Sequence, residues 1–95
     1  MAAAWNWRSP AARVSEAQVY WFDDTGHGGV RVPAKWRLLY RDGNEWKPVE
    51  AAGGFGVERN QYNRVTFKAV NTSGLRLELT QQTEFSAGIQ EWKVK

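Results

Sequence analysis

The chain has no cysteine, a single histidine, one methionine and three prolines in 95 residues. Without cysteine there is no disulfide to staple a small core and no thiolate to hold a metal, and the redox compartment stays undetermined. The one histidine, His27, has no motif around it, so nothing resembles a serine or threonine nucleophile with its histidine base. No run of about twenty apolar residues exists that could cross a bilayer as a helix. The opening Met1–Ala4 lacks the long apolar segment of a secretory signal. Charge of one sign is also scarce: 13 basic and 10 acidic residues are interspersed along the chain for a net +3. That balance favours solubility and lacks the concentrated basic stripe expected of a nucleic-acid binder.

Tryptophan is what the chain has in plenty, six in all, within an apolar fraction of 42% that suffices for one ordinary core. Trp is large, stiff and amphipathic, equally suited to filling a core and to stacking on a sugar ring. Period-two alternation dominates the pattern. Ala17, Val19 and Trp21 share one face of a segment from Arg13 to Phe22, with Glu16, Gln18 and Tyr20 on the other. The Asp23–Gly29 stretch, with three glycines and two aspartates, stops that strand as a turn-forming loop. Trp36, Leu38 and Tyr40 alternate again, and Asp42-Gly43-Asn44 before Glu45–Val49 predicts a β-hairpin. Val65, Phe67 and Ala69 form a further strand, Asn71–Gly74 a turn, and Leu75, Leu77 and Leu79 the cleanest one-face-buried strand. Ile89–Val94 closes the pattern with Trp92. The spacing predicts an all-β antiparallel sandwich or barrel without a helix, as one domain over residues 13–95 after an N-terminal segment of residues 1–12. Trp21, Trp36, Trp46 and Trp92 are expected in the core; Trp5 and Trp7, on one side if extended, suit either role.

The runs Val19-Tyr20-Trp21-Phe22-Asp23-Asp24-Thr25-Gly26, Arg31–Gly43, Trp46-Lys47-Pro48-Val49, Asn63–Phe67, Leu75-Arg76-Leu77 and Ser86–Trp92 resemble, in that order, a discoidin-like (coagulation-factor type C) domain. The Tyr-Trp-Phe-Asp-Asp version is similar to the C-terminal regions of bacterial glycosidases such as β-L-arabinofuranosidase-like enzymes. The resemblance implies a galactose-binding-like jelly-roll sandwich. It also implies a glycan site in the loops at one end, a parent hydrolase catalytic domain as partner, and a parent exported from a bacterial cell. Domains of that family carry extra strands ahead of the position of Val19, where this chain has only Met1–Ala12 and a Trp5-Asn6-Trp7 remnant. Those strands help frame a structural calcium in the family, so the expectation here is no cofactor, with calcium as the sole candidate. Sheet edges left uncovered would favour a homo-oligomer, by edge pairing or strand exchange.

A non-catalytic carbohydrate-binding module then draws its site from loop residues. Asp24 and His27 lie in the first glycine-rich loop, Arg59 and Asn60 in a polar stretch between strands, and Glu84 in the last loop; these five carry the hydroxyl-bonding groups. Phe55, Tyr62 and Phe85 offer rings against which sugar C–H faces pack. Plain turn closure suits Asp23 and Asp24 better than ligand binding, since aspartate before glycine needs no ligand, and each aromatic suits plugging the sandwich end before binding. Five carboxylates, Asp23, Asp24, Glu58, Glu84 and Glu91, could serve glycoside hydrolysis in number, yet no spacing sets two of them across a cleft. Two rival functions are a purely structural or assembly domain without ligand, and a small barrel binding single-stranded nucleic acid. Gly54-Phe55-Gly56-Val57 only faintly resembles an RNA-recognition signature, lacking its basic residue and second aromatic. The expected partners are therefore poly- or oligosaccharide, with neither nucleic acid nor membrane.

Overall fold

The computed structural model describes the backbone from Ala2 to Lys95 and side chains from Ala4 onward; Met1, the first residue of the expected N-terminal segment, lies outside the described residues. Five strands form the fold: β1 (Ala2–Phe22), β2 (Lys35–Asp42), β3 (Glu45–Pro48), β4 (Tyr62–Thr80) and β5 (Gly88–Val94). They make a single antiparallel sheet in the order β3-β2-β4-β1-β5, and no helix occurs among the described residues.

The two central strands are too long to be straight. At roughly 3.3 Å per residue, the 21 residues of β1 would reach about 70 Å, whereas the molecule is 42 Å in its longest dimension. Both strands bend at irregularities in their shared ladder, between Arg8 and Ala12 and between Val14 and Glu16 of β1. Bulges of this kind bend a strand and increase its twist, and Pro10, unable to donate to a ladder, sits inside the first of them.

The bends turn one sheet into two facing layers. In one layer the second half of β1 lies between β5 and the first half of β4, and Glu50–Ala52 flanks β4 through bonds from Ala52 N to Thr66 O and from Lys68 N to Glu50 O, each 2.9 Å. The other layer comprises β3, β2, the second half of β4 and the first half of β1. Trp21 of the first layer meets Trp36 of the second edge-on, 5.3 Å between ring centres. The all-β antiparallel, sandwich-like class expected from the periodicity is what the chain adopts, with layers joined through β1 and β4.

Each bulge also switches which parity points inward. Along β1 the inward residues are Trp5 and Trp7, then Ala12 and Val14, then Ala17, Val19 and Trp21; along β4 they are Asn63, Val65 and Phe67, then Val70 and Thr72, then Leu75, Leu77 and Leu79. The three leucines, together with Val19 and Trp21, are almost wholly buried. Trp5 pairs with Leu77 and Trp7 with Leu75, so both half-buried rings lie on the core side. The strand expected to open at Arg13 thus begins at Ala2, and the segment before Arg13 belongs to the sheet.

The hairpin forms where expected. Asp42 pairs with Glu45 across Gly43-Asn44, and Gly43 takes a φ of 61°, the left-handed conformation that a two-residue hairpin with glycine in first position requires. Trp46, expected in the core, departs from it: paired with Arg41, it is half-buried on the outer face of its layer.

Candidate functional site

Three loops gather at the end of the sandwich where β1 finishes and β2 starts. The β1–β2 loop is closed by its two aspartates. Asp23 accepts through Oδ1 from the Thr25 amide (3.0 Å) and hydroxyl, and through Oδ2 from the Val32 amide at 3.1 Å. Those donors, the Thr25 hydroxyl first, hold its carboxyl down to about 2 against burial. Asp24 accepts from the Val30 amide at 2.7 Å and from Arg31 Nη1 at 3.3 Å. Its carboxylate lies against Gly28, where any side chain would collide with it.

Arg31 is the hinge between two loops. Its Nη1 also donates to the Gly28 and Val30 carbonyls, at 2.8 and 3.0 Å, and its guanidinium lies over the Phe85 ring at 4.4 Å. The backbone reinforces this junction: the Ser86 amide donates to Gly29 O at 3.0 Å, and the Arg31 amide to Ser86 O at 2.9 Å. Gln82 adds a side-chain bond to Val32 O at 2.9 Å. Loop 81–87 is therefore stitched to the β1–β2 loop, and Phe85 keeps 37% of its surface open to water.

The third loop, residues 53–61, is anchored from beneath. The Gly56 carbonyl accepts from two core indoles, Trp36 Nε1 at 2.8 Å and Trp21 Nε1 at 3.2 Å. The buried Asn63 accepts from the Glu58 amide and returns a bond to Glu58 O, at 2.9 and 2.8 Å. Arg59 then reaches the Asp23 carboxylate at 3.7 Å. Buried polar groups satisfied in this way hold a loop without a ligand.

These contacts sort the candidate residues. Asp24, Arg59 and Phe85 come together at this end through Arg31 and Asp23. His27, Asn60 and Glu84 are exposed on the same three loops. Asn60 and Glu84 hold left-handed backbone at φ 62° and 67°, which asparagine tolerates and glutamate rarely adopts. Two of the expected rings serve elsewhere. Phe55 packs edge-on against Trp36 at 5.0 Å and joins the core, so it plugs the sandwich end. Tyr62 stands on β4 opposite Tyr20, edge-on at 5.3 Å, with Lys93 Nζ 4.6 Å over its ring; the Glu91 carboxylate raises its phenol above the ordinary range.

Two residues at this end escaped the sequence reasoning. Arg31 appears there only at the head of the Arg31–Gly43 run that carries the family resemblance, two positions before Pro33. Phe22, 43% exposed, closes β1 beside Gly88, which offers no side chain to cover it. Among the described residues no group of three His, Cys, Asp or Glu side chains stands close enough to hold a metal ion. What the arrangement supplies is an exposed ring flanked by guanidinium, carboxylate and amide groups on rigid loops.

No family model matches the sequence. The fold is shared with a solved chain of BgaA, a beta-galactosidase of multiple functions from Streptococcus pneumoniae, at a TM-score of 0.73 and 18% identity. The match covers 90% of this chain and 58% of that one, so this chain spans little more than half the length of its structural neighbour. At that identity the likeness is one of fold.

Proposed function

We propose that this chain is a non-catalytic accessory domain of a glycoside hydrolase, of the discoidin-like kind, that binds glycan weakly at its loop end. The observation that carries the proposal is the stitched junction of the β1–β2 loop with loop 81–87, which holds Arg31 over an exposed Phe85. Phe85 would pack on a sugar C–H face, and Arg59, His27, Asn60 and Glu84 would bond its hydroxyls. Asp24 would act through Arg31, its Oδ1 being committed to the Val30 amide and the Arg31 guanidinium. The strained backbone at Glu84 accords with a residue held for a purpose beyond stability. The shared fold with a chain of a beta-galactosidase supports the setting beside a hydrolase.

A non-catalytic role accords with the state of Asp23. Its two oxygens are taken by Thr25 and the Val32 amide, and a carboxylate so committed to its own loop is not free to move a proton. The same internal commitment of both aspartates favours one second reading, a purely structural domain that braces its neighbour. The outer edge of β5 and the first half of β1 have no pairing strand on one side among the described residues, which supports edge-to-edge assembly in that reading.

Affinity electrophoresis through gels of arabinan, galactan and xylan decides between them. The glycan-binding reading expects retardation in at least one gel, lost in Phe85→Ala while the melting temperature holds. Unretarded migration in every gel would leave the structural role standing.

A further inference from the structure

The arginines look scattered in sequence, but the sheet gathers them. Positions directly opposed across β-strands point to the same face. Arg37 pairs with Glu78, Leu39 with Arg76 and Lys35 with Thr80; across the other side of β4, Ala4 pairs with Glu78, Asn6 with Arg76 and Arg8 with Gly74. Arg41, paired with Trp46, falls on the same outer face. That face therefore carries Arg8, Lys35, Arg37, Arg41 and Arg76 against the single carboxylate of Glu78. Its surplus of four positive charges exceeds the +3 of the whole chain.

Two open grooves mark this face. One, of about 590 Å³, is lined by Ala4, Lys35, Arg37, Arg76, Glu78 and Thr80. The other, of about 380 Å³, runs between Arg8, Arg41, Trp46 and Gly74. The backbone at Gly74 comes close to both neighbours: a Cβ on it would stand 3.3 Å from the Trp7 carbonyl, a tight approach, and 3.4 Å from the Trp46 indole, an ordinary contact. From Gly74 to Thr80 the face runs roughly 20 Å at strand rise. Trp46 is half-buried, with the Arg41 guanidinium 5.5 Å over its ring.

We infer that this outer face of β2, β4 and the first half of β1 is a binding surface for an acidic polysaccharide, one bearing carboxylate or sulfate groups along its chain. The cations supply the attraction, Trp46 a ring for a sugar face, and Glu78 the selection. Glu78 Oε1 accepts from Arg37 Nε and Nη2 at 2.9 and 2.7 Å, and its Oε2 lies 3.1 Å from Arg76 Nε, off the hydrogen-bonding direction. A fixed carboxylate amid the cations accepts from sugar hydroxyls beside the acidic groups, whereas the phosphodiesters of DNA offer it no donor. Single-stranded DNA also needs successive stacking rings, and Trp46 is alone here. The surface borders the loop end at Lys35 and Thr80 and runs away from it toward Gly74, and none of its cations belongs to the loop-end site.

The test uses the intact chain with sodium polygalacturonate, neutral xylan and a single-stranded DNA oligonucleotide as probes. Arg8 and Lys35 are exposed and form no ion pair among the described residues, so the double variant Arg8→Ala, Lys35→Ala removes charge while sparing the fold. Polygalacturonate is expected to retard the protein in 20 mM salt. Binding should weaken about tenfold in the double variant, and about 10³-fold in the parent between 20 and 200 mM salt, as counterion release at about four charge contacts dictates. Phe85→Ala should bind polygalacturonate like the parent, which separates this surface from the loop end. Absence of retardation at 20 mM salt, undiminished binding by the double variant, or tighter binding of the DNA than of polygalacturonate would each overturn the inference.

Discussion

Replacing Asp23 by asparagine should cost the protein stability at neutral pH and almost none in acid. The Asp23 side chain is only 5% exposed, and its two oxygens accept from Thr25 and from the Val32 amide. Its carboxyl sits at about 2 instead of 3.8, a difference worth about 2 kcal/mol at neutral pH. The folded value lies below the unfolded one. The contribution is therefore whole above roughly pH 4, falls as pH drops toward 2, and is gone below it. An asparagine in the same place keeps one acceptor and turns an N–H toward either Thr25 or the Val32 amide, opposing donor to donor. Urea melts of both proteins between pH 7 and pH 2.5 measure the difference directly. Asp23→Asn should be about 2 kcal/mol less stable at pH 7, with the gap narrowing steadily below pH 4. A gap of the same size at every pH, or no gap at pH 7, would refute the argument that ionised Asp23 ties this loop.

Other consequences are as concrete. Leu77→Ala opens a cavity between the two layers at a wholly buried position and should cost about 2–5 kcal/mol in the same melts. Glu84→Gly removes a left-handed glutamate and should raise stability by about 1 kcal/mol. If Glu84 also bonds sugar hydroxyls, that variant should bind glycan less well although it is the more stable protein.

Much of the core could be read from period two. Leu75, Leu77 and Leu79, and Ala17, Val19 and Trp21, are buried as their alternation demands. The continuity of the long strands could not be read, because each bulge shifts the inward parity by one. Asn71–Gly74 has turn-like composition, yet β4 continues through it and bends there, with the buried Thr72 hydroxyl bonding the Arg41 and Gly74 carbonyls at 2.8 and 3.0 Å. The N-terminal strand was hidden for a similar reason: Arg8 to Ala12 reads as irregular, and the bulge that carries Pro10 is what lets the sheet fold over. At the loop end, Asp23 and Asp24 closing their own turn was one of two readings the sequence allowed. Phe55 could not be placed, since its burial depends on the Gly56 carbonyl meeting two indoles from distant strands. The basic face was invisible for the same cause. Lys35, Arg37 and Arg41 share a parity that a single strand shows, but Arg8 and Arg76 join them only through strand pairing.

The claim that the loop end takes a sugar is tested most directly by amide chemical shifts in the isotopically labelled chain, titrated with neutral arabino-, galacto- and xylo-oligosaccharides. Saturable shifts confined to residues 23–31, 58–61 and 82–87, and missing in Phe85→Ala, are the expected result. Unmoved spectra with all three, or shifts that bypass those loops, would contradict it.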